Sequence, residues 1–175
     1  TIMKLLVFTM YFSGGMIPLY LVVKGVGLYG SRWALILPTL VDTYNLIIMR
    51  TAFAGVPDSL EESAKLDGAN AWTILWRIMA PLVKPTVAVI TLYYAVSHWN
   101  SWFNAMLFLR DKTQYPLQLI LRQILIQNDT AGADYLISET IQYATVVVAT
   151  LPILCIYPFV QKYFVKGVMI GAIKG

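Results

Sequence analysis

The sequence predicts an all-α, polytopic helical membrane protein with about four transmembrane helices, and two observations carry that reading. The first is composition: 58% of the 175 residues are hydrophobic and only 13% are charged, about half the charge of an ordinary soluble domain. Mean hydropathy is +0.66. Such a chain has too few polar side chains to cover a globular surface, so lipid must solvate much of it. The second is the placement of the charges. Residues 5–23, 85–109 and 140–161 contain no Lys, Arg, Asp or Glu, and each run is long enough to cross a hydrocarbon core of roughly 30 Å as a helix.

The first run predicts helix one over about 5–23. It follows only Lys4, lacks a small-residue cleavage pattern and carries Gly14, Gly15 and Pro18 in its middle, which excludes a secretory signal. The chain opens Thr1-Ile2-Met3, almost inside this helix, so a preceding N-terminal portion is expected. Lys24-Gly25-Val26-Gly27-Leu28-Tyr29-Gly30 predicts a tight link. Helix two follows over about 33–54, apolar apart from Asp42 and Arg50, with Trp33 at an interfacial position. Asp42 falls near mid-depth, with Thr39 and Asn45 within a turn on the same face. A carboxylate there pairs with another helix or contacts a solute.

Gly55-Val56-Pro57-Asp58-Ser59 ends helix two. Ser59 followed by Glu62 is a capping-box pattern and predicts a short helix over 59–66 that Gly68 ends or bends. Pro81 and Pro85 mark the start of helix three, about 83–108. A wheel over it puts Thr86, Ile90, Tyr93, Ser97, Asn100, Ser101 and Asn104 on one face. A helix contacting only lipid needs no polar stripe, so this one faces protein or a water-filled path. Asn100 and Asn104 are either interhelical glue or, with Tyr93 and Ser97, part of that path. Trp99 and Trp102 are packing residues or stacking platforms for a solute, and the lone His98 lies at the edge of the stripe.

Residues 110–139 form the next connection. Within it Leu117, Ile120, Leu121, Ile124 and Leu125 recur at helical spacing, with Gln118, Arg122 and Gln123 opposite, which predicts an amphipathic helix at the membrane surface or on a partner. Asn128-Asp129-Thr130-Ala131-Gly132 reads as a loop. Helix four, about 141–161, contains Pro152 and Pro158, so a kink is expected. Residues 162–175 form a tail with three lysines. The whole of 1–175 reads as one transmembrane domain. Placing 55–81 in the cytoplasm puts eight basic residues inside and five outside, the orientation the positive-inside rule favours. Basic charge therefore reports topology and not nucleic-acid binding, and the single Cys155, in an apolar run, excludes a disulfide framework.

Within 59–81 the residues Glu62-Ser63-Ala64, three residues, Gly68, nine residues and Ile78-Met79-Ala80-Pro81 resemble the EAA signature of ABC importer permeases. Ser63 stands where that pattern has Ala, and Ala80 where it has Leu. Leu60-Glu61-Glu62-Ser63-Ala64-Lys65-Leu66-Asp67-Gly68-Ala69, the ending Gly171-Ala172-Ile173-Lys174-Gly175 and Gly14-Gly15-Met16-Ile17-Pro18 are similar to the maltose-type carbohydrate permeases, in particular the branch importing oligosaccharides or complex sugars. The resemblance covers essentially the whole chain.

It implies the ABC importer permease (MetI-like) fold and about six spans, two of them N-terminal to this chain. It also implies a cytoplasmic coupling helix in 59–81, an extracytoplasmic loop at 110–139 and a cytoplasmic tail, in a multi-pass protein of the bacterial inner or cytoplasmic membrane. The partners implied are a second, similar permease subunit, two ATPase subunits, an extracytoplasmic solute-binding protein and a carbohydrate substrate. Glu61, Glu62, Ser63, Ala64, Asp67 and Gly68 become the ATPase-coupling residues, and Asp42, Asn45, Tyr93, Ser97, Asn100 and Asn104 the candidate translocation path. No cofactor is expected on this chain, ATP and magnesium being bound by the partner ATPase.

Two other classes compete with this one. An ion-coupled secondary transporter of a small polar solute ought to show paired intramembrane acids and an inverted repeat; Asp42 alone is thin support. A membrane enzyme finds no metal cluster, nucleophile–base pair or phosphate loop in the sequence.

Overall fold

The computed structural model describes residues 2–130 and 135–172, and every regular element among them is helical. In chain order these are α1 (Ile2–Tyr11), α2 (Met16–Gly25), α3 (Trp33–Ile36) running into a 3₁₀ turn (Leu37–Thr39), α4 (Thr43–Ala54) and α5 (Asp58–Leu66). A continuous stretch follows of α6 (Ala71–Thr73), a π-helical segment (Ile74–Met79) and α7 (Ala80–Leu82). Then come α8 (Lys84–Trp99), α9 (Trp102–Phe108), a 3₁₀ turn (Lys112–Gln114), α10 (Leu117–Thr130) and α11 (Tyr135–Ala172). Among the described residues one helix, α11 over Glu139–Pro158, is long and apolar enough to cross a membrane by itself. Two bent pairs would bring the number to three if each were one span: α1 with α2, bent by 120°, and Ala71–Leu82 with α8, bent by 80°.

Three of the four expected helices are therefore in pieces, each broken at residues that resist helix. Helix one stops at Tyr11 and resumes at Met16, with Gly15 at φ +84°. Pro18 offers no N–H to the Gly14 carbonyl and its ring crowds that turn, which disfavours a helix through Gly14. Helix two is interrupted at Pro38 for the same reason. There the Thr39 hydroxyl donates to the Leu35 and Ile36 carbonyls at 2.9 and 3.2 Å, while the carbonyl that the missing proline N–H leaves open is that of Ala34. Helix three breaks at Asn100 and Ser101, where the Ser101 hydroxyl donates to the His98 carbonyl at 2.7 Å and draws the chain out of register. Helix four is unbroken through Pro152 and Pro158, and it extends well past 161 to Ala172; Gly167 is the first glycine or proline after Pro158. Of the expected loop at 128–132, residues 128–130 continue α10 and the rest lies outside the described residues.

The described residues form two compact units. One comprises the residues up to Val41 together with Ala95–Tyr157. Its core joins Val23, Ala34 and Phe108, packed round by Tyr20, Leu28, Tyr29 and Leu107, to a second cluster of Ala105, Leu109 and Leu119 under Trp102 and Tyr115, with Leu35 touching both. The Gly30 N–H donates to the Phe108 carbonyl at 2.9 Å, closing the α2–α3 link onto the end of α9. The other unit runs from Asp42 to Tyr94 and takes up the chain again after Tyr157. Ala64, Ile74, Val83 and Ile90 are its buried apolar residues.

Candidate functional site

Residues 57–83 build the segment that the sequence marks for coupling. The cap of α5 is Pro57, in extended conformation, without a side-chain capping bond. Leu60 N–H donates to the Pro57 carbonyl at 3.2 Å, so Ser59 lies inside the first turn and the expected capping box does not form. Proline wins the cap because its ring already holds φ near −65°, while Asp58 and Glu61 in the first turn suit the positive end of the helix. The far end closes as a Schellman motif. Gly68 sits at φ +79°; its N–H donates to the Lys65 carbonyl, and that of Ala69 to the Ala64 carbonyl, both at 3.0 Å.

Of the six residues singled out here, Ala64 turns inward and is buried, on the helix that lies against the Ile74–Met79 segment. Glu62, Ser63, Asp67 and Gly68 are exposed. Glu61 pairs with Lys65 one turn on at 2.6 Å, and this carboxylate holds the Lys65 ammonium above its ordinary value. With both groups well exposed, solvent screens the pair and it adds little to stability. Leu66 (89% exposed), Trp72 and Trp76 stand in the open on the same segment. Behind them, Asn70 caps α6 through the Thr73 N–H at 2.8 Å. The π segment precedes Pro81, which has no N–H for the Arg77 carbonyl; the Ala80 N–H reaches back five residues to the Leu75 carbonyl.

The second group centres on Asp42, and here the structure corrects the reading of a carboxylate midway along an unbroken helix. Asp42 is the N-cap of α4: it accepts from the Asn45 N–H at 2.8 Å. Its own N–H donates to the Tyr94 hydroxyl of α8 at 3.0 Å. Asn45 is buried, and its Oδ1 has no hydrogen-bond partner. Tyr44 and Tyr93 face each other across α4 and α8 with ring centroids 6.5 Å apart. Asp42, Asn45 and Tyr93 are thus brought together, with Tyr44 and Tyr94, which the sequence reading missed. Pro38 and the Asp42-to-Asn45 spacing, a helix-start signature, are the signals that could have placed the cap; the two tyrosines carry no local signal. Ser97 and Asn100 are exposed and Asn104 is half-buried. The break at Asn100 puts Asn104 on a separate helix, so the expected single polar stripe does not exist as one face.

The tryptophans resolve toward packing. Trp99 donates its indole N–H to the Ala149 carbonyl of α11 at 3.2 Å. Trp102 lies beneath the Arg122 guanidinium, 3.7 Å from its ring centre, an arrangement worth about 0.5–1 kcal/mol where exposed. That contact also reorients α10. Leu119 and Leu121 are its buried residues, while Leu117, Ile120 and Ile124 of the expected apolar face are exposed. Arg110 similarly covers Tyr29 at 4.8 Å and holds its phenol below the ordinary value. Asp111 is lowered by the N–H and hydroxyl of Thr113, the first of which it accepts at 2.9 Å. Among the described residues no group of His, Cys, Asp and Glu is arranged to hold a metal ion.

Known proteins place this geometry. The chain is 49% identical to the polygalacturonan/rhamnogalacturonan transport system permease protein YtcP of Bacillus subtilis (strain 168), over 99% of the chain and 64% of that protein. It is 33% identical to the arabinooligosaccharides transport system permease protein AraQ of the same organism, over 91% of the chain and 54% of that protein. A solved bacterial ABC transporter involved in the import of the acidic polysaccharide alginate superposes with a TM-score of 0.83 at 38% identity, covering 93% of this chain and 61% of that one. The chain thus spans less than two thirds of the length of these relatives, the first two of which are named as transport system permease proteins. Residues 2–170 match the profile described as binding-protein-dependent transport system inner membrane component, and the chain belongs to that family.

Proposed function

We propose that this chain is the greater part of a permease subunit of an ATP-binding-cassette importer, which moves an oligosaccharide into the cytoplasm of a bacterium by alternating access. The observation that carries the reading is the surface of α5. A short helix is closed at its far end by the turn at Gly68 and seated by Ala64 on Ile74–Met79, and it offers Glu62, Ser63, Leu66 and Asp67 with Trp72 and Trp76 beside it. An isolated protein gains nothing from exposing two tryptophans and a leucine beside a carboxylate; a cleft in an ATPase subunit would cover them. Glu62 would pair there with a basic group, and Ser63 would permit close approach. ATP closure of the partner would bias the spans from inward- to outward-facing.

The names of the relatives, which concern polymers and oligomers of sugars, support an oligosaccharide as cargo. The other partners are a second permease subunit, a second ATPase and an extracytoplasmic solute-binding protein. ATP and magnesium would reside on the ATPases. Asp42, Asn45 and Tyr93, together with Ser97, Asn100 and Asn104, are assigned to the path of the sugar.

The test is to isolate the full-length protein from detergent-solubilised membranes and identify what accompanies it by mass spectrometry. An ATPase, a second permease and a binding protein are expected; intact protein without an ATPase would overturn the coupling role of α5 and revive an ion-coupled transporter. In the same system Glu62→Lys is expected to lower uptake at least tenfold while the spans still assemble, since it reverses a charge at a desolvated contact. Normal uptake by this variant would remove Glu62 from the interface.

A further inference from the structure

The corner between α4 and α8 holds five polar or aromatic groups in one compact unit, and as helix packing alone it makes little sense. Tyr44 is 53% exposed and Tyr93 42%, and their rings are inclined at 37° with centroids 6.5 Å apart. They are neither stacked face to face nor buried by the chain, so ring surface of both remains available. Asp42 is exposed, and it is fixed: one carboxylate oxygen accepts from the Asn45 N–H, and the backbone N–H is held by Tyr94. Behind the cap the Asn45 Oδ1 is buried and lacks a donor, which leaves an acceptor unsatisfied beside the same carboxylate. The corner also sits where an otherwise apolar segment is interrupted, between the 3₁₀ turn at Leu37–Thr39 and the start of α4. In transport proteins, irregular backbone of this kind is tolerated where it lines a cavity.

We propose that Tyr44, Tyr93 and Asp42 form a sugar subsite that holds one ring of a passing oligosaccharide. Inclined aromatic rings supply flat apolar faces for the C–H side of a pyranose, with phenol groups at their edges for its hydroxyls. Asp42, an acceptor with no donor of its own when ionised, takes hydrogen bonds from adjacent hydroxyls. Tyr94 is a positioning residue, since it touches the Asp42 backbone and not the sugar. The carboxylate also sets a preference: a ring bearing its own carboxylate would be repelled, so the subsite takes a neutral ring. This inference rests on the importer reading and names where on this chain the cargo is held.

Two measurements on the full-length protein with its partner subunits test it. The first needs no transport. In a Cys155→Ser background, Tyr44→Cys and Tyr93→Cys are exposed to a membrane-impermeant maleimide, with and without vanadate-trapped nucleotide. Both thiols are expected to react in at least one state; thiols that stay unreactive in every state lie in lipid or in packing, and the subsite is then wrong.

The second follows uptake of a short-chain pectin hydrolysate, which contains neutral and acidic rings, with consumption read by mass spectrometry. Tyr93→Ala and Tyr44→Ala are each expected to slow uptake about tenfold while the complex still assembles, and Tyr93→Phe, which keeps the ring face and loses the phenol hydroxyl, is expected to fall between Tyr93→Ala and wild type. Asp42→Asn is expected to shift the consumed mixture toward acidic oligomers. Loss of assembly and ATP hydrolysis together with uptake, in both alanine variants, would make the rings structural and overturn the subsite. Wild-type complex that imports nothing from the hydrolysate counts against the importer reading for this sugar class, and the thiol labelling still decides whether the corner is open to water.

Discussion

At Gly68 the backbone turns left-handed, and a Cβ built there would meet nothing within 4 Å. Space is therefore not what selects glycine; conformation is. An ordinary L-residue pays about 1–2 kcal/mol for that region, with asparagine the best tolerated. Gly68→Asn is expected to keep uptake near wild type, and Gly68→Val to reduce it severalfold at equal protein levels. Equal uptake by the two would show that α5 does not depend on the turn. Ala64 is limited in the opposite way, by space: it is buried where α5 lies against Ile74–Met79, so a larger residue would lift the helix from its seat. The two residues secure one short helix by different means, which is why each can be perturbed without the other.

For the elements, the question is which breaks could be foreseen. Gly68 as the end of α5, the Gly55–Pro57 interruption and the turn after α2 were all legible, because glycine and proline announce them whatever surrounds them. The breaks inside helices one, two and three were not, because apolar composition outweighed single signals: Gly14, Gly15 and Pro18 in one, Pro38 in the next, the adjacent Asn100 and Ser101 in the third. The wheel drawn over helix three consequently grouped Asn104 with Tyr93, although a break separates them. The inward face of α10 was hidden for another reason. Periodicity reports which side is apolar, and here an arginine on the other side seats itself on Trp102. The Asp42 cap is a local bond to Asn45, but the contacts of Asp42 with Tyr94 and of Tyr44 with Tyr93 needed the fold, since those partners lie some fifty residues apart in sequence. Pro38 offers a direct check. Pro38→Ala restores the missing N–H and favours helix by about 3 kcal/mol, so amide exchange across Leu40–Asp42 is expected to slow and uptake to fall. Unchanged exchange would mean that the packing around Asp42 imposes the break.

For the whole molecule, buried residues are few and large apolar side chains stand exposed along α1, α2 and α11; lipid and partner helices have to complete the solvation. Stability internal to the chain is concentrated where Val23, Ala34 and Phe108 meet. Phe108 is 1% exposed, stacks parallel to Tyr20 at 6.5 Å and presents its carbonyl to Gly30. Phe108→Ala is expected to cost about 3–5 kcal/mol and to lower the midpoint of thermal unfolding in detergent. A midpoint equal to wild type would show that lipid or partner contacts, not this cluster, hold α2, α3 and α9 together.

The 80° bend at Val83 gives the chain a crank. One arm runs from Ala71 to Leu82 and carries α5 against its side; the other is α8, sixteen residues or about 24 Å long, with Tyr93 beyond its midpoint. Val83 is the single residue between the arms, buried and so a firm pivot. If the arms turn together, a rotation of about 5° carries the far end of α8 through roughly 2 Å over that length. A pull on a short helix at one end of such a crank would then arrive as a sideways swing at the other, with no need for the chain to stretch between them.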